Sequence, residues 1–293
     1  MKNSKRLRAF TLIELSIAIL IIGILIVGVI QGSKVYYKSQ LLVAQNLTHN
    51  SPVSGIKDLM LWYETSLDSS FNSTEKTDGT SLSAWYDNNP QLSIKNNATQ
   101  TTTVNKPTFI ENAFPNGIPG VRFDGSHGYF IIADNAPIEG QPYTIFVIEQ
   151  KRATISTQTF LLDMGGTGST GETILLGWNT DTKIILDKWN GGISYTNSAF
   201  AYSSPTPRMH TFRQDSSGSK YWSSGGTATD STHVSTSTLV LSGSSSYLGR
   251  SGCCGSYNGD IAEIIIYTRA LTTEERKAIE SYLSTKYSIT ITG

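Results

Sequence analysis

An unbroken apolar stretch from Phe10 to Ile30 constrains this chain more than any other feature, and a single carboxylate, Glu14, sits inside it. As a helix, those 21 positions would rise ~1.5 Å each, about the thickness of one bilayer core. The stretch is too long and too apolar for an ordinary core helix. A charge at the depth of Glu14 costs roughly 2.5–3.5 kcal/mol on insertion scales, so it implies a partner. Ahead of the span, residues 1–9 carry Lys2, Lys5, Arg6 and Arg8. Cations before a span hold that end in the cytoplasm and send the rest of the chain outward. A cleaved secretory signal does not fit, because no small-x-small site follows the apolar run near Ile30. A plain signal anchor fits the length but leaves Glu14 without a role.

The order of basic leader, small residue, Phe10-Thr11-Leu12-Ile13-Glu14 and apolar helix resembles the N-terminus of type IV prepilins and pseudopilins. The resemblance implies cleavage by a prepilin peptidase between Ala9 and Phe10, with methylation of the new N-terminal Phe10. The family usually has Gly where this chain has Ala9. It further implies that Glu14 pairs with the terminal amine of a neighbouring subunit in a filament. Elementary electrostatics agrees: a helix N-terminus carries about half a positive charge, a free amine adds to it, and a buried carboxylate offsets both. Loss of the four leader cations leaves 19 lysines and arginines against 23 acidic residues. With no concentrated basic face, nucleic-acid binding is disfavoured.

The sequence predicts a helix over 10–50, with about 10–31 in the membrane, since no proline interrupts it before Pro52. Val35, Tyr36, Leu42 and Leu47 are the expected face packing under a head over 51–293. There Ser, Thr, Asn, Gly and aromatics dominate, and charged residues are 16% of the chain against a typical ~25%. Strands are predicted at 59–64, 143–150, 159–164, 173–178, 183–189, 209–214, 238–241 and 260–269. Many short strands with turn breaks indicate a β-sandwich or jelly roll. One late helix is expected, with Thr272 and Glu275 as a capping box.

Asn258-Gly259-Asp260-Ile261-Ala262-Glu263-Ile264-Ile265-Ile266-Tyr267, followed by Arg269-Ala270-Leu271-Thr272, looks like the closing segment of laminin-G-like, concanavalin A-like domains. Leu59-Met60-Leu61-Trp62, Trp85-Tyr86-Asp87 and Gly120-Val121-Arg122-Phe123-Asp124-Gly125 fit in order before it. The resemblance implies two antiparallel sheets and, in many members, binding of glycans or protein ligands.

Catalytic and metal motifs are sparse. Asp260 and Glu263 stand three apart on one predicted strand, so regular alternation sends them to opposite faces and they cannot flank one glycosidic bond. The 166–171 segment matches a dinucleotide pattern, but strand and not helix follows it. The four histidines have no metal-ligand spacing. No cofactor is implied and zinc is unsupported; calcium is the remaining metal, with Asp124, Asp163 and Asp260 as candidate ligands. Trp178 and Trp189, near predicted loop ends, are the candidates for an exposed sugar-stacking platform. Cys253 and Cys254 are adjacent, and neighbouring α-carbons lie ~3.8 Å apart, below the usual disulfide range. A strained vicinal bridge, two thiols and a cross-link between subunits all stay open.

The leading expectation is a minor pilin or pseudopilin, held in the bacterial inner membrane with its head in the periplasm until it joins a filament. Its partners would be the peptidase, other pilin or pseudopilin subunits and a glycan or protein ligand. The alternatives are a type II secretion-like pseudopilin whose head contacts only proteins and, third, a membrane-anchored glycoside hydrolase.

Overall fold

The computed structural model describes residues 11–132, 142–165, 174–187, 192–223, 229–230, 246–252 and 254–291. The predicted strand at 238–241 and the 166–171 segment fall outside them. Helix α1, Leu12–His49, is continuous. It starts at Thr11, whose side chain accepts from the Glu14 N–H while the Glu14 carboxylate accepts from the Thr11 N–H. This reciprocal pair satisfies amides that a helix start leaves open. The apolar part of α1 is long enough to cross a membrane and buries none of that window against the protein.

The second half of α1 docks on the head, and of the four residues expected to pack there Leu47 does while the other three stay exposed. Ala44 and Thr48 are buried and Leu47 packs beside them. Val35, Tyr36 and Leu42 are 70%, 59% and 51% exposed. At 100° per residue Val35 and Leu42 lie roughly opposite Ala44, so apolarity alone misplaced the contact. Docking relies instead on a small residue and on polar anchoring. Gln45 Nε2 donates to the Ser66 carbonyl at 2.9 Å, and the Thr48 and Ser66 hydroxyls lie 3.2 Å apart.

The described strands of the head form an eight-stranded and a nine-stranded sheet. At the centre of the first sheet, Tyr143–Lys151 and Asn258–Tyr267 run antiparallel, with Ile264 opposite Val147 and Ile266 opposite Ile145. Both strands are almost wholly buried because both faces are covered. Tyr143, Ile145 and Val147 face the second sheet, and Phe146 and Ile148 face the helices. The second sheet is built around Thr159–Met164, Ile174–Thr180, Lys183–Asp187, Ser246–Leu248 and Phe130–Ile132. The order is therefore second sheet, first sheet, then a layer formed by α1 and α2, Thr273–Tyr287.

Helix α2 begins with the expected capping box of Thr272 and Glu275. Arg269, hydrogen-bonded to Glu275, holds that carboxyl at about 2. At the other end of α2, Lys286 is fully buried between Glu64 and Glu263, at 3.1 and 2.9 Å. Tyr282 and Tyr287 hydroxyls and the Trp62 indole N–H also donate to Glu263. The Tyr282 hydroxyl reaches Thr48 of α1 at 3.3 Å, and Glu64 accepts from Ser66, Leu67 and Ser70. One buried ammonium thus joins α2 to two strands, with α1 attached through the same hydroxyls.

Burial pulls the Lys286 ammonium down, but Glu263, the two tyrosines and Glu64 outweigh it and hold it well above its ordinary value. For Glu64, burial pushes the carboxyl up, and Lys286 with the Ser66, Ser70 and Leu67 donors brings it below 4.5. A depressed carboxylate contributes stability above its unfolded value, and a raised lysine contributes below its own. Lys286→Met should therefore cost about 3–5 kcal/mol in urea unfolding at neutral pH by leaving buried carboxylates unpaired. The advantage of wild type over the variant should hold between pH 4.5 and 10.5 and shrink on either side. A variant as stable as wild type would contradict this role.

Candidate functional sites

At the N-terminal end, Ala9 and Phe10 fall outside the described residues. Glu14 is engaged within its own helix, accepting from both the N–H and the hydroxyl of Thr11 at 2.9 Å. The surrounding Leu12, Ile13, Leu15 and Ile17 are all more than half exposed.

In the head, the three carboxylates considered for calcium are not brought together. Asp124 ends a first-sheet strand and accepts from the backbone N–H groups of Ser126, His127 and Gly128 at 2.8–2.9 Å. Burial raises its pKa, and those three donors outweigh burial to hold it below the usual value. Asp163 belongs to the second sheet and accepts from the Gly252 N–H at 2.9 Å. Asp260 is fully buried in the first sheet, gripped by Arg122 at 2.7 and 3.1 Å and by Gln150 at 2.9 Å. Among the described residues, no group of three or more His, Cys, Asp and Glu side chains is placed to hold a metal.

The alternation argument for Asp260 and Glu263 is overturned. A β-bulge interrupts pairing with Tyr143–Lys151 between Ile261 and Glu263, so Asp260 lies opposite Gln150 and Glu263 opposite Ile148. Both positions face the helix layer, because one extra residue resets the side-chain period. Each carboxylate is nonetheless occupied, Asp260 by Arg122 and Glu263 by Lys286.

Trp178 is buried and cannot serve as an exposed platform. It points inward with Ile174 and Leu176, under the Lys151 ammonium at 4.4 Å and against the edge of Phe200 at 5.4 Å. The apolar bulk of an indole explains the placement: it fills the sandwich core. Trp189 falls outside the described residues, as does Cys253. Cys254 is exposed, its backbone N–H donating to the Ser251 hydroxyl at 3.0 Å.

A polar network fills the core beside Trp178. The His210 ring nitrogens lie 2.8 Å from the Tyr221 hydroxyl and 2.9 Å from Glu149. Tyr257 donates to the other Glu149 oxygen, and Lys151 pairs with Asp181 at 2.7 Å. Burial lowers the His210 pKa, outweighing the pull of Glu149. Nothing in the sequence singles out His210, since its partners Glu149 and Tyr221 come from two other strands. A second cluster that sequence reading missed lies on the second sheet, where Arg250 stacks on Tyr129 and Tyr247. No spacing signal links residues so far apart in the chain.

Residues 4–30 match the prokaryotic N-terminal methylation motif. No curated protein matches the chain. Among solved structures, a Trypanosoma rangeli sialidase is similar with a TM-score of 0.53 at 14% identity, over 78% of this chain and 33% of that one. The binding domain of paraclostridial mosquitocidal protein 1 gives 0.53 at 13%, over 78% and 52%. Botulinum neurotoxin type C, described as entering cells through interaction with two ganglioside molecules, gives 0.54 at 13%, over 80% and 53%. The chain therefore spans a third to about half the length of these proteins, and at such identities the likeness is one of fold.

A lowered histidine pKa means that the unfolded chain takes up the proton first as pH falls. Wild type should thus lose stability relative to His210→Gln as pH drops below 6.5, read by urea midpoints at pH 8 and 5. An unchanged difference would contradict the assignment. For the cysteines, intact mass before and after alkylation under oxidising conditions tests the vicinal bridge. Protection of both thiols in monomeric protein would establish the bridge, and two alkylated thiols would exclude it.

Proposed function

We propose that this chain is a minor type IV pilin or pseudopilin subunit whose laminin-G-like head binds a ligand, a glycan or a protein surface. The observation that carries this reading is the methylation motif at residues 4–30, running into a helix whose membrane-length portion buries nothing against its own protein. Such a helix needs lipid or neighbouring helices, and a filament core supplies the latter. Prepilin peptidase would cut between Ala9 and Phe10 and methylate Phe10, leaving 10–50 as the assembly helix and 51–293 as the head. The inner membrane would hold the subunit, head in the periplasm, before extraction.

Glu14 is the residue assigned to assembly. Its Thr11 hydrogen bonds keep the carboxylate satisfied while the helix is alone. An incoming subunit's terminal amine, carrying a full charge, would compete for it. A head this large crowds a tightly wound fibre, which favours a tip or low-copy place and a role in adhesion. The sandwich neighbours include the binding domain of a mosquitocidal protein and a neurotoxin whose cell entry depends on gangliosides, which supports a binding head. They also include a sialidase and an arabinofuranosidase. Engagement of Asp260 and Glu263 in buried pairs favours binding over hydrolysis in this chain. A type II secretion-like pseudopilin with a protein-contacting head is the second reading, supported by the same motif.

Glu14→Ala should leave membrane insertion intact and reduce recovery in sheared filaments at least ten-fold. Immunoblots of membrane and sheared fractions measure both, and normal incorporation would sink the assigned role.

A further inference from the structure

Tyr129, Tyr247 and Arg250 form a cluster that none of the buried networks uses. Strand Ser246–Leu248 pairs with Phe130–Ile132, placing Leu248 opposite Phe130 and Tyr247 opposite Ile131. Leu248 and Phe130 belong to the sandwich core, so alternation sends Tyr247 to the outer face of the second sheet. The Tyr129 and Tyr247 rings meet edge to face, with centroids 5.8 Å apart. Gly249 then turns the chain at φ 91°, where an added Cβ would fall 2.0 Å from the Phe123 ring. Only glycine fits there, and the turn brings Arg250 back over both tyrosines. Its guanidinium carbon lies 4.4 Å from the Tyr129 centroid and 4.8 Å from that of Tyr247. Tyr129 is itself fixed, since Asn105 Nδ2 donates to its hydroxyl at 3.3 Å and Gln100 Nε2 to its carbonyl at 3.0 Å.

What sets Arg250 apart is the state of its N–H groups. Every other described arginine is spoken for. Arg122 and Arg152 pair with Asp260, Arg213 with Asp215, Arg269 with Glu275 and Arg276 with Glu280, while Arg208 donates to two carbonyls. Among the described residues, nothing accepts a hydrogen bond from the half-buried Arg250 guanidinium or forms an ion pair with it. Contact with ring faces takes up none of the guanidinium N–H donors, whose planar fork matches a carboxylate. Losing that group's water without a partner is costly, so a pre-stacked, unpaired fork is arranged for an incoming anion.

We propose that Arg250, seated on Tyr129 and Tyr247, is the carboxylate-binding point of a subsite for an acidic sugar. This rests on the reading of the head as a ligand-binding domain and narrows it to one chemistry. An acidic pyranose presents a planar carboxylate and an apolar C–H face in one stiff unit. The cluster offers the fork together with apolar surface from the partly buried Tyr129, Tyr247 and Ile131. The side chain of an acidic peptide would have to be ordered for the same contact, at a further entropic cost.

The test uses the full-length protein in nonionic detergent and isothermal titration with oligosaccharides ending in galacturonate, glucuronate or sialic acid. Controls are the same sugars with the carboxyl reduced to an alcohol, neutral glycans and poly-glutamate. Binding of at least one acidic sugar is expected, weakened ten-fold or more by carboxyl reduction and by Arg250→Gln. Arg250→Lys should recover part of it, since a point charge replaces the fork. The melting temperature of Arg250→Gln should fall by only a few degrees, because the variant loses ring contacts but no hydrogen bond or ion pair. Wild-type affinity in Arg250→Gln, equal binding of the reduced sugar, or equally tight poly-glutamate would each overturn the subsite. Binding of neutral glycans alone would overturn it while leaving a glycan-binding head standing. No binding to any glycan by folded protein would overturn both the subsite and the glycan reading.

Discussion

A single buried ammonium, Lys286, holds the architecture together. It sits at the end of α2 between carboxylates from two first-sheet strands, Glu64 and Glu263. Two carboxylates against one lysine would be an unfavourable core on charge alone. Hydroxyls of Tyr282, Tyr287, Ser66 and Ser70 and the Trp62 indole supply the missing donors. A fully satisfied network of this kind is specific because no partial version is tolerable in a low-dielectric interior. Thr48 of α1 touches the same network through Tyr282 and Ser66. The long helix is thereby attached to the head through the same hydrogen bonds that satisfy Glu64 and Glu263.

That attachment gives the exposed helix its meaning. An apolar helix of membrane length, unburied along its span, cannot remain so in water. Either lipid or a bundle of like helices must cover it, and only one end of α1 is committed to the head. Past the membrane-length stretch, Val35, Tyr36, Leu42 and Val43 extend the uncovered face. The head then presents the outer face of the second sheet on the side of the first sheet opposite the helix layer. The exposed stretch of α1 and the outer face of the second sheet thus lie on opposite sides of the first sheet.

Much of this was legible in the sequence where the signal is local. Strands at 59–64 and 159–164, the long helix with its stop before Pro52, and the capping box of Thr272 and Glu275 follow from periodicity and cap chemistry alone. The failures all lie where distant segments decide. The docking face of α1 is set by Ser66 and Tyr282 together with Ala44 and Leu47, and not by the exposed Val35 and Leu42. A bulge of one residue put Asp260 and Glu263 on one face. Trp178, near a strand end, turned inward because the core needed its volume. Lys286, in the last turn of a helix, reads as a solvent-facing cation; its partner Glu64 lies 222 positions away. Arg250 and Tyr129 have no local signature at all, and only the fold brings them together.

The central claim, that this is a processed filament subunit, is tested most directly at the first residue of the protein found outside the membrane. Intact and peptide mass spectrometry of the chain from membranes and from sheared surface material would read it. The expected result is a chain beginning at N-methylated Phe10, enriched in the sheared fraction with other pilin-like subunits. A chain that still begins at Met1 and stays wholly in the membrane would contradict it.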